Sequence, residues 1–201
     1  MTNRALVGRL GLACLIYGAI FSAVGIWEVL SPSIANNPGD VQILNPTGWR
    51  VKLLLLAIPG FFAGKLGYYL SGAAGRNWFS KSVIILAALG HAMTASAELY
   101  GAATLRTARI FGFPLFSLGL LLGQWTSTFL LGVAAVISRR VSVWKRVWPI
   151  WVGIAPQVIF PLYIFVIGWP AFAALATNGL NWMVFGYVVW SLGELQKPSR
   201  S

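Results

Sequence analysis

Residues 87–101 read AALGHAMTASAELYG, and they contain His91, the only histidine in the chain, and Glu98, one of four acidic residues. Seven residues separate the two, which is close to two turns of an α-helix, so both side chains share one face. Ionisable side chains in membrane-spanning helices usually face the interior of a helix bundle. The stretch therefore predicts a transmembrane helix with an inward polar stripe. The stripe consists of Ala87, His91, Thr94, Glu98 and Gly101.

The composition of the whole chain agrees with a multi-pass membrane protein. Of its 201 residues, 58% are hydrophobic and only 9% are charged, against about 25% charged in soluble domains. The net charge of +11 does not indicate a nucleic-acid partner, because the basic residues lie between apolar spans and there face lipid headgroups. Membrane lipids are therefore the predicted partners. The single cysteine, Cys14, excludes an intrachain disulfide and a cysteine-rich metal site.

The apolar runs predict one all-α transmembrane domain covering residues 1–201. Its six helices are predicted at about residues 6–30, 51–71, 82–103, 111–137, 147–169 and 171–193. The longest loop is predicted at residues 31–49, SPSIANNPGDVQILNPTGW, on the outer side. A loop of this length acts either as a lid over the bundle or as an ordered cap.

Basic residues are distributed unevenly between the two predicted membrane faces, and this bias sets the orientation. Eleven lie at the face that carries both termini: Arg4, Arg9, Lys65, Arg76, Lys81, Arg139, Arg140, Lys145, Arg146, Lys197 and Arg200. Four lie at the opposite face: Arg50, Lys52, Arg106 and Arg109. Both termini are therefore predicted to be cytoplasmic, and the lack of glycosylation and lipidation signals favours a bacterial cytoplasmic membrane. Lys65 lies near the inner loop, so its side chain is predicted to snorkel to that interface.

Glycines recur on one face of four predicted spans, which lets helix backbones approach closely. They are Gly11, Gly18 and Gly25 in the first span, Gly60, Gly64 and Gly67 in the second, Gly119 and Gly123 in the fourth, and Gly179, Gly186 and Gly193 in the sixth. The fifth span contains three prolines and should be bent. Gln157 lies beside that bend and is predicted to face Asn178 and Asn181 of the sixth span.

Three groups of polar residues are candidate sites. The first is His91 with Glu98, supported by Glu28 and Thr94, which would bind a ligand, relay a proton or join neighbouring helices. The second is an outer cluster that would bind a headgroup or form ion pairs. Its members are Glu28, Glu98, Arg50, Lys52 and Arg106. The third is the group of Gln157, Asn178 and Asn181, which would line a cavity or pack between helices.

No cofactor or metal ion is predicted, because the chain lacks a cluster of ligands. A haem held between two histidines is excluded, since there is only one histidine. A single axial bond from His91 to a haem or pigment is the one remaining alternative.

The pair Trp27–Glu28 at a helix end resembles the Trp-Glu pair of integral-membrane terpene cyclases. The resemblance covers these two residues, and it implies an enzyme in which Glu28 donates a proton.

Three functions are compatible with these patterns. The leading hypothesis is that the protein binds a lipophilic ligand, or is an accessory subunit that associates with a membrane protein or with itself through its glycine faces. The first alternative is an intramembrane isomerase or cyclase that uses Glu28, Glu98 and His91 for acid–base catalysis. The second is a small proton-coupled transporter, which requires a water-accessible path to His91 and Glu98.

Overall fold

The computed structural model describes residues 4–30, 49–104, 108–110, 113–167 and 171–194. Within these ranges, the side chains at positions 28, 49–56, 98, 101–103, 164, 165, 167, 171 and 172 lie outside the described part. The elements in chain order are α1 (Arg4–Leu30), α2 (Trp49–Leu70), α3 (Trp78–Thr104), β1 (Arg109–Ile110), β2 (Phe113–Pro114), α4 (Leu115–Gly119), the π-helix π1 (Leu120–Thr126), α5 (Ser127–Ser138), α6 (Val143–Pro161), the π-helix π2 (Leu162–Ile167) and α7 (Ala171–Glu194).

The prediction of an all-helical protein is confirmed. In the described part of the chain the helices form six rods, because α4, π1 and α5 are continuous and α6 runs directly into π2. The strands β1 and β2 form only a two-residue antiparallel pair. Among the residues searched, three helical segments are long and apolar enough to cross a membrane, namely Arg4–Trp27, Trp78–Ala97 and Leu115–Ser138.

Local signals set where two of the rods begin. The fourth rod starts at Leu115, four residues after the predicted start of that span, because Pro114 has an extended backbone (φ −59°, ψ 125°) and ends the strand pair. The third rod starts at Trp78, earlier than predicted. There the side-chain oxygen of Asn77 accepts the amide N–H of Ser80 at 2.9 Å, as a helix N-cap does.

Glycine contacts hold α1 against α7, the most extensive contact in the fold. A Cβ placed on Gly11 would lie 2.7 Å from the Cα of Trp190 and 2.9 Å from the carbonyl oxygen of Gly186. On Gly179 it would lie 2.8 Å from the Cα of Ser22. The helix α2 packs on the same pair, with Gly64 against Cys14. The helices α1, α2 and α7 therefore form one closely packed unit.

A second close crossing joins α3 to the rod formed by α4 and π1. A Cβ on Gly119 would lie 2.7 Å from the carbonyl oxygen of Gly90, and one on Gly123 would lie 2.6 Å from the amide nitrogen of His91. A third crossing joins α5 to α6, where a Cβ on Gly153 would lie 2.6 Å from the amide nitrogen of Phe129. The glycine faces predicted to bind partners are thus occupied by helices of the same chain.

The loops after α2 and α5 meet at one end of the bundle. The hydroxyl of Ser138 donates to the carbonyl oxygen of Ala73 at 2.7 Å, and the hydroxyl of Tyr68 donates to the carbonyl oxygen of Lys145 at 2.8 Å. Several basic residues lie at these loops or at the adjoining helix ends, so we call this the basic end. They are Arg4, Arg76, Lys81, Arg139, Arg140, Lys145 and Arg146.

Candidate functional site

A lysine and the single histidine meet inside the bundle. Lys65 of α2 is fully buried, and its Nζ lies 2.9 Å from Nε2 of His91, which is 7% exposed on α3. The Lys65 amine also donates to the carbonyl oxygen of Gly123 in π1. We call the contact between Lys65 and His91 the amine–imidazole pair. Together with the hydrogen bond to Gly123, it joins three of the six rods.

The burial of Lys65 contradicts the prediction that this side chain snorkels to the inner interface. Side chains on a helix lean towards its N-terminus. The helix α2 ends at Leu70, near the basic end, so the Lys65 side chain leans away from that end and into the bundle. The sequence holds only a partial signal for this position, because Lys65 shares a helix face with the large side chains of Phe61 and Tyr68. In the structure all three are buried.

The close crossing of α3 and π1 explains why Gly123 can accept a hydrogen bond from α2. Gly90 and Gly123 pack backbone against backbone, so no side chain covers the Gly123 carbonyl from α3. The hydroxyl of Ser127 also donates to that carbonyl, at 2.5 Å. Turns of π-helix inside longer helices are rare and often mark functional sites. Apart from Gly119 and Gly123, no feature of the sequence predicted π1.

Aromatic rings enclose the amine. The Nζ of Lys65 lies 5.2 Å from the centre of the Trp182 ring, a distance at which a cation is attracted to the ring face. Trp182 stacks on Phe61 with ring centres 4.4 Å apart. On the other side, Phe62 meets the His91 ring edge to face at 5.8 Å. The pair is therefore shielded from water by aromatic side chains.

The geometry gives the pair two ways to hold one proton. A charged lysine has three donor hydrogens and no acceptor, so it must donate to Nε2 of a neutral imidazole. A neutral amine can instead accept from a protonated Nε2. The Gly123 carbonyl can accept a hydrogen bond from the amine in either state. The arrangement can therefore bind a proton, release it, or pass it between the two nitrogens.

The other predicted site residues are distributed over several places. Thr94 is buried next to the pair, but its hydroxyl donates to the carbonyl oxygen of Gly90 in its own helix, at 3.0 Å. The residues Glu28 and Glu98 belong to α1 and α3, and their side chains lie outside the described part. The basic side chains of the outer cluster, those of Arg50, Lys52 and Arg106, also lie outside the described part. Residues 31–48 of the predicted outer loop lie outside it as well.

The third predicted group is divided between the surface and the interior. Gln157 is exposed on α6, whereas Asn178 and Asn181 are buried on α7. The side-chain oxygen of Asn181 accepts the indole N–H of Trp151 at 3.2 Å, so this asparagine joins α7 to α6. Gln124 of π1 is a further buried amide that was not among the predicted site residues, and its Nε2 lacks a partner among the described residues.

The contact with Lys65 also affects whether His91 can be the axial ligand of a haem. Nε2 is a common metal-binding nitrogen of histidine, and here it faces an amine at 2.9 Å. The amine nitrogen therefore stands where a metal ion bound to Nε2 would lie. The residues present therefore do not fit a haem bound through Nε2.

Comparisons with known proteins do not indicate a function, so the functional argument rests on the geometry of the site. No protein-family model, curated protein or solved structure matches the chain. A fold alone does not determine function.

Proposed function

We propose that the protein is a multi-pass carrier of the bacterial cytoplasmic membrane that moves protons, with the amine–imidazole pair as its proton-binding site. Six spans, with both termini in the cytoplasm, are part of this proposal. The three strongly apolar helices support that topology, and so does the bias of basic residues, which is ten to four once the buried Lys65 is left out.

The observation that carries the proposal is the 2.9 Å contact between the nitrogens of Lys65 and His91 inside the bundle. Ionisable residues within membrane helices are costly and commonly belong to proton or ion pathways. An amine and an imidazole can each take up a proton, and their contact lets one proton be shared. The side-chain carboxylates Glu28 and Glu98 are not needed for this argument.

The position of the pair between packed units also supports a carrier. Lys65 belongs to the unit of α1, α2 and α7, whereas His91 and Gly123 belong to α3 and π1. The helix α2 contacts α3 less extensively than it contacts α1. We propose that the two units move relative to each other at this contact, which would open the pair to one side of the membrane at a time.

The other hypotheses have less support. The docking role was inferred from glycine faces, and these are occupied within the chain. The terpene-cyclase-like enzyme depends on the carboxyl groups of Glu28 and Glu98, whose side chains lie outside the described part.

Proton flux into vesicles tests the proposal. Purified protein is placed in liposomes that contain a pH-sensitive dye, and a potassium diffusion potential, negative inside, drives protons inwards. We expect the wild type to acidify the interior faster than protein-free vesicles do. Lys65→Met should abolish this flux because it removes the amine. His91→Gln should also abolish it, because glutamine accepts the Lys65 hydrogen bond but does not titrate.

The matched control is Lys81→Met, which removes an exposed lysine at the basic end of α3. This variant should conduct like the wild type. Wild-type flux no faster than that of empty vesicles would refute the proposal, and so would unchanged flux in Lys65→Met.

A further inference from the structure

Two adjoining cavities open at the basic end, away from the amine–imidazole pair. The first has a volume of about 420 Å³ and is lined by Ser71, Gly72, Ala73, Arg76, Arg140, Val141 and Leu192. The second has a volume of about 660 Å³ and is lined by Val141, Ser142, Trp144, Lys145, Tyr187, Trp190, Ser191, Leu192 and Glu194. Val141 and Leu192 line both, so the cavities adjoin, and we call the two together the basic groove.

The loops that form the first cavity are held in place by hydrogen bonds. The Ser138 hydroxyl ties the end of α5 to Ala73 at 2.7 Å. Gly72 turns the loop after α2 with φ of 81°, and Arg139 turns the chain after α5 with φ of 53°. A left-handed backbone is uncommon for a residue other than glycine, so Arg139 marks a sharply defined turn before Arg140. The shape of the cavity is thus built into the fold.

The first cavity suits a phosphate group. Two of its seven lining residues are arginines and none is acidic. A guanidinium presents paired N–H donors that match two oxygens of a phosphate. Arg76 and Arg140 come from different loops, and both are exposed at the end of the bundle. An anion placed in this cavity would therefore be held from both loops.

The second cavity suits the apolar part of an amphiphile. Trp144, Tyr187 and Trp190 line it, with 38–47% of each side chain exposed. Tryptophan and tyrosine are typical of the membrane–water interface. Lys145 adds one cation, whose Nζ lies 2.7 Å from the Ser191 hydroxyl and 5.4 Å from the centre of the Trp144 ring. Glu194 adds one carboxylate, so the groove as a whole is lined by three basic side chains, one acidic side chain and an aromatic wall.

We propose that the basic groove binds one anionic phospholipid. Its phosphate lies between Arg76 and Arg140, and its glycerol and upper acyl chains lie along Trp144 and Tyr187. Basic pockets at the cytoplasmic ends of membrane helices are a common site for anionic headgroups. This lipid site is independent of the proton-carrier proposal, because none of its residues belongs to the amine–imidazole pair.

Native mass spectrometry tests the lipid site. The full chain is released from mixed detergent micelles that contain phosphatidylglycerol or phosphatidylcholine with identical acyl chains. We expect one phosphatidylglycerol to be retained in preference to phosphatidylcholine. The double variant Arg76→Gln/Arg140→Gln should reduce phosphatidylglycerol retention by about tenfold or more, because each arginine contributes charge-assisted hydrogen bonds. The double lysine variant keeps both charges and should retain more lipid than the glutamine variant.

Two controls separate the groove from general surface effects. Arg109→Gln removes an exposed arginine outside the groove and should not change lipid retention. Trp144→Ala should weaken retention, whereas Trp78→Ala, at a tryptophan that is 77% exposed and does not line the groove, should not. Inorganic phosphate added at millimolar concentration should not displace the lipid.

Three results would overturn the lipid site. The first is equal retention of the two lipids by the wild type. The second is unchanged retention in a glutamine double variant that keeps the wild-type thermal midpoint. The third is full displacement of phosphatidylglycerol by inorganic phosphate, which would indicate a site for free phosphate instead.

Discussion

At the scale of single residues, Lys65 is the least expected feature of the molecule. Moving a charged ammonium group out of water costs several kcal/mol even after relaxation. His91, the Gly123 carbonyl and the Trp182 ring offset that cost. Burying a polar amine is costly even when it is hydrogen-bonded, and an apolar side chain of similar length avoids that cost. A lysine kept at such a position is therefore better explained by function than by stability.

We predict that Lys65→Met separates stability from activity. Methionine is similar in length and removes the buried amine, so the thermal midpoint should stay at the wild-type value or rise. Proton flux should nevertheless be lost. Thermal unfolding in detergent, followed by tryptophan fluorescence, measures the first quantity. A fall of the midpoint by more than about 5 °C, which corresponds to roughly 1–2 kcal/mol for a chain of this size, would show that Lys65 mainly stabilises the fold.

The sequence could predict the inward position of His91 but not that of Lys65. His91 lies in an apolar run next to small residues, and helical periodicity places it on an inward face. Lys65 lies near a loop, where snorkelling is usual for lysine. Deciding between burial and snorkelling requires the direction of α2 together with the positions of α3 and π1. That information comes from tertiary packing, which sequence patterns do not contain.

At the scale of helices, close approach of backbones organises the fold. Gly8 and Gly11 lie three residues apart on α1, both beside α7, yet their surroundings differ. A Cβ on Gly11 would lie 2.7 Å from the Cα of Trp190, whereas the nearest atom to a Cβ on Gly8 is a side-chain carbon of Trp190 at 4.0 Å. One added methyl group should thus have opposite effects at the two positions.

We predict that Gly11→Ala destabilises the protein and that Gly8→Ala does not. At Gly11 the helices must separate, which we expect to cost about 1–3 kcal/mol as in other overpacked cores. At Gly8 the better helix propensity of alanine should stabilise by up to about 1 kcal/mol. The difference between their thermal midpoints is the measurement. Equal midpoints would contradict the close α1–α7 contact.

A second prediction at this scale concerns the start of α3. Asn77→Ala removes the side-chain acceptor for the amide of Ser80 and should cost about 1 kcal/mol. Asn77→Asp keeps that acceptor and is the control. If both variants unfold at the same temperature, the cap does not stabilise α3.

The helices themselves were well predicted from apolar runs, and their ends and irregularities less so. Hydropathy shows that a segment is helical and buried in lipid or protein, but caps and π-turns depend on a few local bonds. Pro114 moved the start of the fourth rod to Leu115, and π1 within that rod had no sequence signal apart from Gly119 and Gly123. The sequence also could not show that the glycine faces pack against helices of the same chain, because that depends on the tertiary fold.

At the scale of the whole molecule, the rods alternate in direction and bring the basic loops to one end. Single cysteines in a Cys14→Ala background test the proposed topology. Ile110→Cys should react with a membrane-impermeant maleimide from outside the cell, and Ser142→Cys should react only after the membrane is opened. Both positions have exposed side chains. Reaction of both from the same side would contradict a membrane crossing by the rod between them.

The contact between Lys65 and His91 can be measured directly because the chain has one histidine. Protein labelled with ¹⁵N-histidine gives a single imidazole, whose Nε2 resonance in membranes reports its hydrogen bond. We predict that Lys65→Met shifts this resonance strongly and that Lys81→Met leaves it unchanged. An identical Nε2 resonance in the wild type and Lys65→Met would show that the two nitrogens do not meet, and it would contradict the central claim.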